Sequence, residues 1–156
     1  MNSPVFDRQG KIPVDYSADG KGLFPTLTWG NVPGDCKSIL LVVEDADAPK
    51  PTPFVHAIFF NLLPGAAGLP ENFVVASGIS QECAAMGVRM GTNSLGRSSY
   101  MPPTPPPGHG PHHYHYQVIA LDCILNFPKA PSLTDIKTAI ENHVVDSGEL
   151  VGIYER

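Results

Sequence analysis

Apolar residues along this chain come in short runs, rich in Val, Ile, Phe and Tyr, that are cut at close intervals by proline and glycine. This is the pattern of an antiparallel β protein rather than a helical one. Strands are predicted over Thr26–Trp29, Ser38–Glu44, Pro53–Leu62 and His113–Asp122, with weaker signals over Pro4–Phe6 and Phe73–Ala76. The second and fourth are apolar on both faces for part of their length, which places them centrally in a sheet. Because successive strand residues face opposite ways, His112, Tyr114 and Tyr116 are expected on one face, and His113, His115 and Gln117 on the other. The same alternation puts His56 on the face of Phe54, Ile58 and Phe60.

One helix is signalled near the C-terminus. Ser132 is a natural N-cap, Asp135 falls at N3 near the positive end of the helix dipole, and Leu133, Ile136, Ile140 and Val144 form an apolar stripe. Gly148 then reads as the stop, after which Gly148–Arg156 is expected to add a last strand. No repeat or linker divides residues 1–156, so a single, mainly β domain is expected, large enough to fold without a disulfide or metal.

Composition narrows the function classes. The net charge is −5 and only ten Lys and Arg are present, scattered, which excludes a nucleic-acid backbone as the main partner. An anion site would have to be local, built from backbone N–H groups, imidazoles or tyrosine hydroxyls. The three cysteines, Cys36, Cys83 and Cys123, form neither a CxxC pair nor a framework, which fits a reducing compartment, and Cys123 follows an apolar run like a small core residue. Apolar runs such as Ile39–Val43 are too short to span a bilayer, and the opening residues lack a basic region followed by an apolar stretch. A cytoplasmic protein without membrane insertion is the expectation.

The segment Tyr100–Tyr116 holds six of the seventeen prolines and four of the six histidines. Its proline run must be a stiff surface path that leads into a strand carrying imidazoles and phenols. Beside it stand two further candidate clusters: Glu44, Asp45 and Asp47, and the lone His56 in an apolar strand. A carboxylate beside His56 would favour the protonated imidazole and create a donor for an anion. The strand pattern alone favours a simpler role, a core histidine held by a carboxylate or a backbone carbonyl, with Asp45 and Asp47 forming the turn before Pro49. For His109, His112, His113 and His115, facing directions argue against one tight metal site, so none is assigned. A hydrolase or metal-dependent enzyme using the histidine-rich segment is the alternative reading, although Ser98, Ser99 and Thr104 sit in no GxSxG elbow.

These clusters occur in the order SPVF, IPVDY, LTW, DADAP (Asp45–Pro49), His56 with Asn61, GTNSLGRSSY, the proline loop, HHY (His112–Tyr114) and a GELVGIYER ending. In that order the chain resembles the phosphatidylethanolamine-binding protein family, also called Raf kinase inhibitor proteins, in its small bacterial and archaeal branch. The resemblance implies a central antiparallel sheet packed on a smaller sheet with flanking helices. It also implies a small pocket for phosphate, phosphorylated head groups or carboxylates, lined by Asp45, His56, Pro106, His112 and Tyr114 and supported by Asp47 and Phe54. The chain departs from the family pattern at Ala46, where the motif has proline, at Pro102–Pro103, where it has Gly-Pro, and at His113, where it has arginine. Function by resemblance is that of a non-enzymatic regulator or inhibitor of kinases or serine proteases, with no cofactor and with a homodimer expected by analogy.

Overall fold

A computed structural model of the chain describes every residue except 76 and 77. In chain order its elements are β1 (Gly10–Lys11), β2 (Leu27–Thr28), β3 (Ser38–Asp45), β4 (Phe54–Leu62), β5 (Gly68–Leu69), β6 (Val74–Val75), β7 (Gly78–Ile79), α1 (Gln81–Ala85), β8 (Arg89–Met90), β9 (His112–Leu121), α2 (Leu133–Ala139) and β10 (Val144–Tyr154). Six of the strands form one sheet in the order β1-β10-β9-β3-β4-β8. Its pairings are antiparallel except at the edge, where β1 runs parallel to β10. The pairs β2–β5 and β6–β7 make two small sheets.

The apolar runs at β3, β4 and β9 form the centre because both of their faces are covered. One face, with Leu41, Val43, Ala57, Phe59 and Tyr116, packs against Phe24, Leu27, Leu69 and Phe73 from the segments around the small β2–β5 sheet. The opposite face, with Leu40, Val42, Ile58, Phe60 and Leu121, is covered by Ile136 of α2 and by Leu125. The mainly β fold is as the residues predict, and the large sheet with a smaller one against it is as the family resemblance implies.

Several predicted elements are adjusted. The N-cap reading of α2 holds as a full capping box: Asp135 N–H donates to Ser132 Oγ (3.2 Å), and Ser132 N–H donates to the Asp135 carboxylate (2.8 Å). The helix ends at Ala139, however, so Val144 opens β10 and Gly148 lies inside that strand opposite Val118. The apolar stripe ran on because Val144 happens to fall at helical spacing, and cross-strand pairing with β9 overrides it. Only Leu27–Thr28 of the predicted Thr26–Trp29 is strand. Pro4–Phe6 is not a strand: Asn2 makes a single bridge to Thr28, and Phe6 enters the core from a loop. Of Phe73–Ala76, Phe73 closes a 3-10 turn, Val74–Val75 is strand and Ala76 lies outside the described residues.

A bulge decides the geometry of the site. Val43 pairs with Ala57, but the next residue, Glu44, pairs with Val55, so His56 is the extra residue of β4. An inserted residue reverses the alternation beyond it. Val55 therefore joins Ile58 and Phe60 on the α2 side, whereas His56 meets the ring of Tyr114 (centroids 5.2 Å apart) and that of Phe54 (5.0 Å) on the other side. The expectation that His56 shares a face with Ile58 and Phe60 is corrected accordingly.

Candidate functional site

Asp45, Phe54, His56, His112 and Tyr114 come together at one end of the adjacent strands β9, β3 and β4. Register brings this about: Asp45 lies opposite Tyr114 on one side and Phe54 on the other. All five are buried, with Asp45 4% exposed, His56 3%, His112 1% and Tyr114 0%. Asp45 and the two imidazoles are polar groups that a protein interior accepts only with partners, so their partners define the site.

His112 Nδ1 donates to Asp45 Oδ2 at 2.7 Å, since a carboxylate oxygen can only accept. Asp45 Oδ1 accepts from the Asp47 N–H at 2.9 Å, an Asx turn that fixes the carboxylate at the strand end. Asp47 Oδ2 in turn accepts from both the backbone N–H and the Nδ1 of His113, each at 2.7 Å. Burial pushes the Asp47 carboxyl up, but its hydrogen bonds to His113 outweigh this and hold it below the usual carboxylate range. Asp47 thus staples the Asp45 turn to β9 and supports the site from outside.

The expected Asp45–His56 pair is corrected: Asp45 takes His112 as its hydrogen-bond partner. His56 Nδ1 donates instead to the carbonyl of Met101 at 2.6 Å, and the His56 carbonyl accepts from the Met101 N–H at 3.0 Å. This two-way link pins the start of the proline loop over β4. Burial lowers the His56 pKa, and the bond to Met101 and the charge of Asp45 only partly oppose it. The imidazole is therefore neutral near pH 7, with its Nδ1 protonated and its Nε2 a lone-pair acceptor. The expected protonated donor gives way to the backbone-held histidine that the strand pattern favoured.

The proline loop closes the site with a residue that had no assigned role. His109 Nδ1 lies 2.8 Å from His112 Nε2, the ring atom left over after the bond to Asp45. The chain folds back to this point because Gly108 (φ 74°) and Gly110 (φ 91°) both adopt left-handed backbone, which glycine takes without a Cβ penalty. The His109 N–H donates to the Pro106 carbonyl (3.2 Å) and closes the turn. Pro106 itself is exposed at the rim, so it joins the site through its backbone, and the buried prolines of the loop are Pro103 and Pro105. A glycine on each side of a histidine, three residues before a strand histidine, was the available signal for His109.

Two further features shape the rim. The hydroxyl of Tyr114 is buried without a hydrogen-bond partner, and burial raises its pKa far above the normal phenol range. Lys50 Nζ lies 4.9 Å from the centre of the Phe54 ring, a cation–π contact that keeps an ammonium at the site's edge. His113 and His115 lie on the other face of β9, as alternation predicts, paired with Asp47 and with Glu149 (2.8 Å). Among the described residues, the histidine-rich segment supplies no cluster with metal-ligand spacing.

Proteins similar to this chain are known from bacteria and archaea. Residues 2–155 match the family model described as phosphatidylethanolamine-binding protein. A UPF0098 protein of Pyrococcus horikoshii is 38% identical over 99% of this chain and 75% of its own length, and one from Methanothermobacter thermautotrophicus is 35% identical over 100% and 98%. Among solved structures, a phosphatidylethanolamine-binding protein homolog from Chlamydia trachomatis superposes with a TM-score of 0.86 at 30% identity, covering 99% of this chain and 95% of its own. Escherichia coli YbcL shares the fold, with a TM-score of 0.88 at 24% identity over 99% and 96% of the two chains. No helix among the described residues is long and apolar enough to cross a membrane. With a family model matching residues 2–155 and relatives 38% and 35% identical along nearly its whole length, this chain belongs to the phosphatidylethanolamine-binding protein family.

Proposed function

We propose that the buried end of β9, β3 and β4 is a binding site for a small oxyanion, phosphate-like or carboxylate, and that the protein acts through it as a non-enzymatic regulator. The observation that carries this reading is the orientation of His112. Asp45 holds its Nδ1, so its Nε2 is turned to His109, and two residues along the same face of β9 the Tyr114 hydroxyl is buried without a hydrogen-bond partner. An anion that takes the place of the His109 ring receives a hydrogen bond from a protonated His112 Nε2, stabilised by the Asp45 carboxylate, and another from the Tyr114 hydroxyl. His56, neutral and with a free Nε2, accepts from a ligand O–H, which favours a monoprotonated phosphate or a protonated acid over a bare dianion. Lys50 at the rim adds attraction for negative charge.

Hydrolysis is disfavoured by the same geometry, because the outer nitrogen of the Asp45–His112 pair faces another imidazole and not a hydroxyl nucleophile. Family resemblance extends the proposal to a protein target, a kinase or a serine protease, met in the cytoplasm. The test is a titration with phosphate and with phosphoethanolamine, followed by NMR of the histidine ring nitrogens. Movement of the His56, His109 and His112 resonances at millimolar ligand, with His113 and His143 still, supports the site. Silence at His56 and His112 would refute it.

A further inference from the structure

At the end of β9 away from this pocket, Asp122 and Cys123 directly follow the strand, and His143 directly precedes β10. The pairing of β9 with β10 continues one step past its last strand residues: the Asp122 N–H donates to the His143 carbonyl at 3.0 Å. That cross-strand relation puts the two side chains on one patch, where His143 Nδ1 lies 2.7 Å from Asp122 Oδ1. Cys123 is fixed beside them because its carbonyl accepts from Ser38 Oγ of β3 at 2.5 Å. Asn142, in the left-handed conformation at φ 68°, turns the chain so that His143 arrives at this position.

One donor atom from each of Asp122, Cys123 and His143 lies within 4.8 Å of the others, and among the described residues no other His, Cys, Asp and Glu trio does so. A tetrahedral zinc ion, with metal–ligand distances near 2.0–2.3 Å, spaces its donors roughly 3.3–3.7 Å apart, so small side-chain rotations close the set. The three residues are half-buried, which leaves a fourth position open to water. A thiolate, an imidazole and a carboxylate together suit a borderline-soft divalent ion far better than magnesium or calcium, which prefer all-oxygen shells. We propose that Asp122, Cys123 and His143 form a binding site for such an ion, zinc foremost, at the β9–β10 turn. The site is separate from the oxyanion pocket and does not depend on that reading. Binding at His143 Nδ1 shifts the ring proton to Nε2 and breaks the hydrogen bond to Asp122, while the proton of the Cys123 thiol is released to solvent.

The whole reduced chain is titrated with cobalt(II), whose thiolate charge-transfer absorption reports a Co–S bond, and then with zinc in competition with a chromophoric chelator. The expected result is one ion per chain with a charge-transfer band that is lost in Cys123→Ser and kept in Cys83→Ser. Zinc affinity should fall at least about tenfold in Cys123→Ser, His143→Ala and Asp122→Asn, each checked for folding by circular dichroism. The His115→Ala variant, which changes a histidine on the other face of β9 and outside both sites, should bind zinc as the parent does. Absence of a band in the parent, loss of it in Cys83→Ser, or zinc binding that vanishes with His115 and not with His143 would each overturn the assignment.

Discussion

Of the carboxylate–imidazole pairs along β9, the Asp45–His112 pair at one end and the Asp122–His143 pair at the other share a donor–acceptor distance of 2.7 Å. In the Asp45–His112 pair the side chains are 6% and 1% exposed, and in the Asp122–His143 pair 41% and 45%. Identical geometry therefore carries different consequences. In the buried pair each partner is the other's substitute for water, and removing one strands the other. In the exposed pair water and salt replace a lost partner at little cost, so the side chains are held loosely enough to regroup around an ion. A hydrogen-bond length says that two groups meet, and burial says what it costs to part them.

The contrast breaks first at Asp45. Asp45→Ala should destabilise the fold by about 3 kcal/mol, the scale for orphaning one member of a buried charged pair, as measured by urea unfolding. A loss below about 1 kcal/mol would mean that water reaches His112, and the distinction between the two ends would fail. Next is His109→Ala, which clears His112 Nε2 of its internal partner. Phosphate affinity by calorimetry should rise about tenfold, the worth of roughly one neutral hydrogen bond, and unchanged or weaker binding would show that His109 helps to hold the anion. Gly110→Ala meets no atom within 4 Å, so its cost is purely that of placing a side chain at φ 91°. Thermal unfolding should register about 1 kcal/mol, with phosphate affinity shifting the same way as in His109→Ala because the ring is aimed wrongly. The smallest effect is expected at the other end: His143→Ala should change stability by less than about 0.5 kcal/mol in metal-free protein.

Much of this arrangement was legible in the residues. The runs at β3, β4 and β9 announced themselves because a buried central strand needs continuous apolar sequence, and Ser132 with Asp135 marked the start of α2 by capping chemistry. Alternation along His112–Tyr116 separated the buried His112 from His113 and His115, which lie on the other face of β9. Pairing partners were harder to read, because a carboxylate at a strand end has no sequence signal for which of two neighbouring strands supplies its imidazole. Asp45 went to β9 because it sits in register with Tyr114, two residues from His112. The helical stripe misled at Val144, where spacing matched but the strand partner was distant in sequence. The bulge at His56 was invisible, since one extra residue in Phe-Val-His-Ala-Ile-Phe-Phe leaves the composition unchanged.

That bulge works as a phase slip in a two-stroke pattern. On its far side β4 delivers odd-numbered Ala57 and Phe59 to the layer shared with Tyr114, and on its near side it delivers Phe54 there and Val55 to the layer beneath α2. Val55 and His56 are consecutive, yet they answer to different tenants of the protein, one to the helix and one to the pocket. A single-residue insertion or deletion here changes which residues of β4 face which layer, so this strand is expected to tolerate exchange of side chains far better than any change in their number.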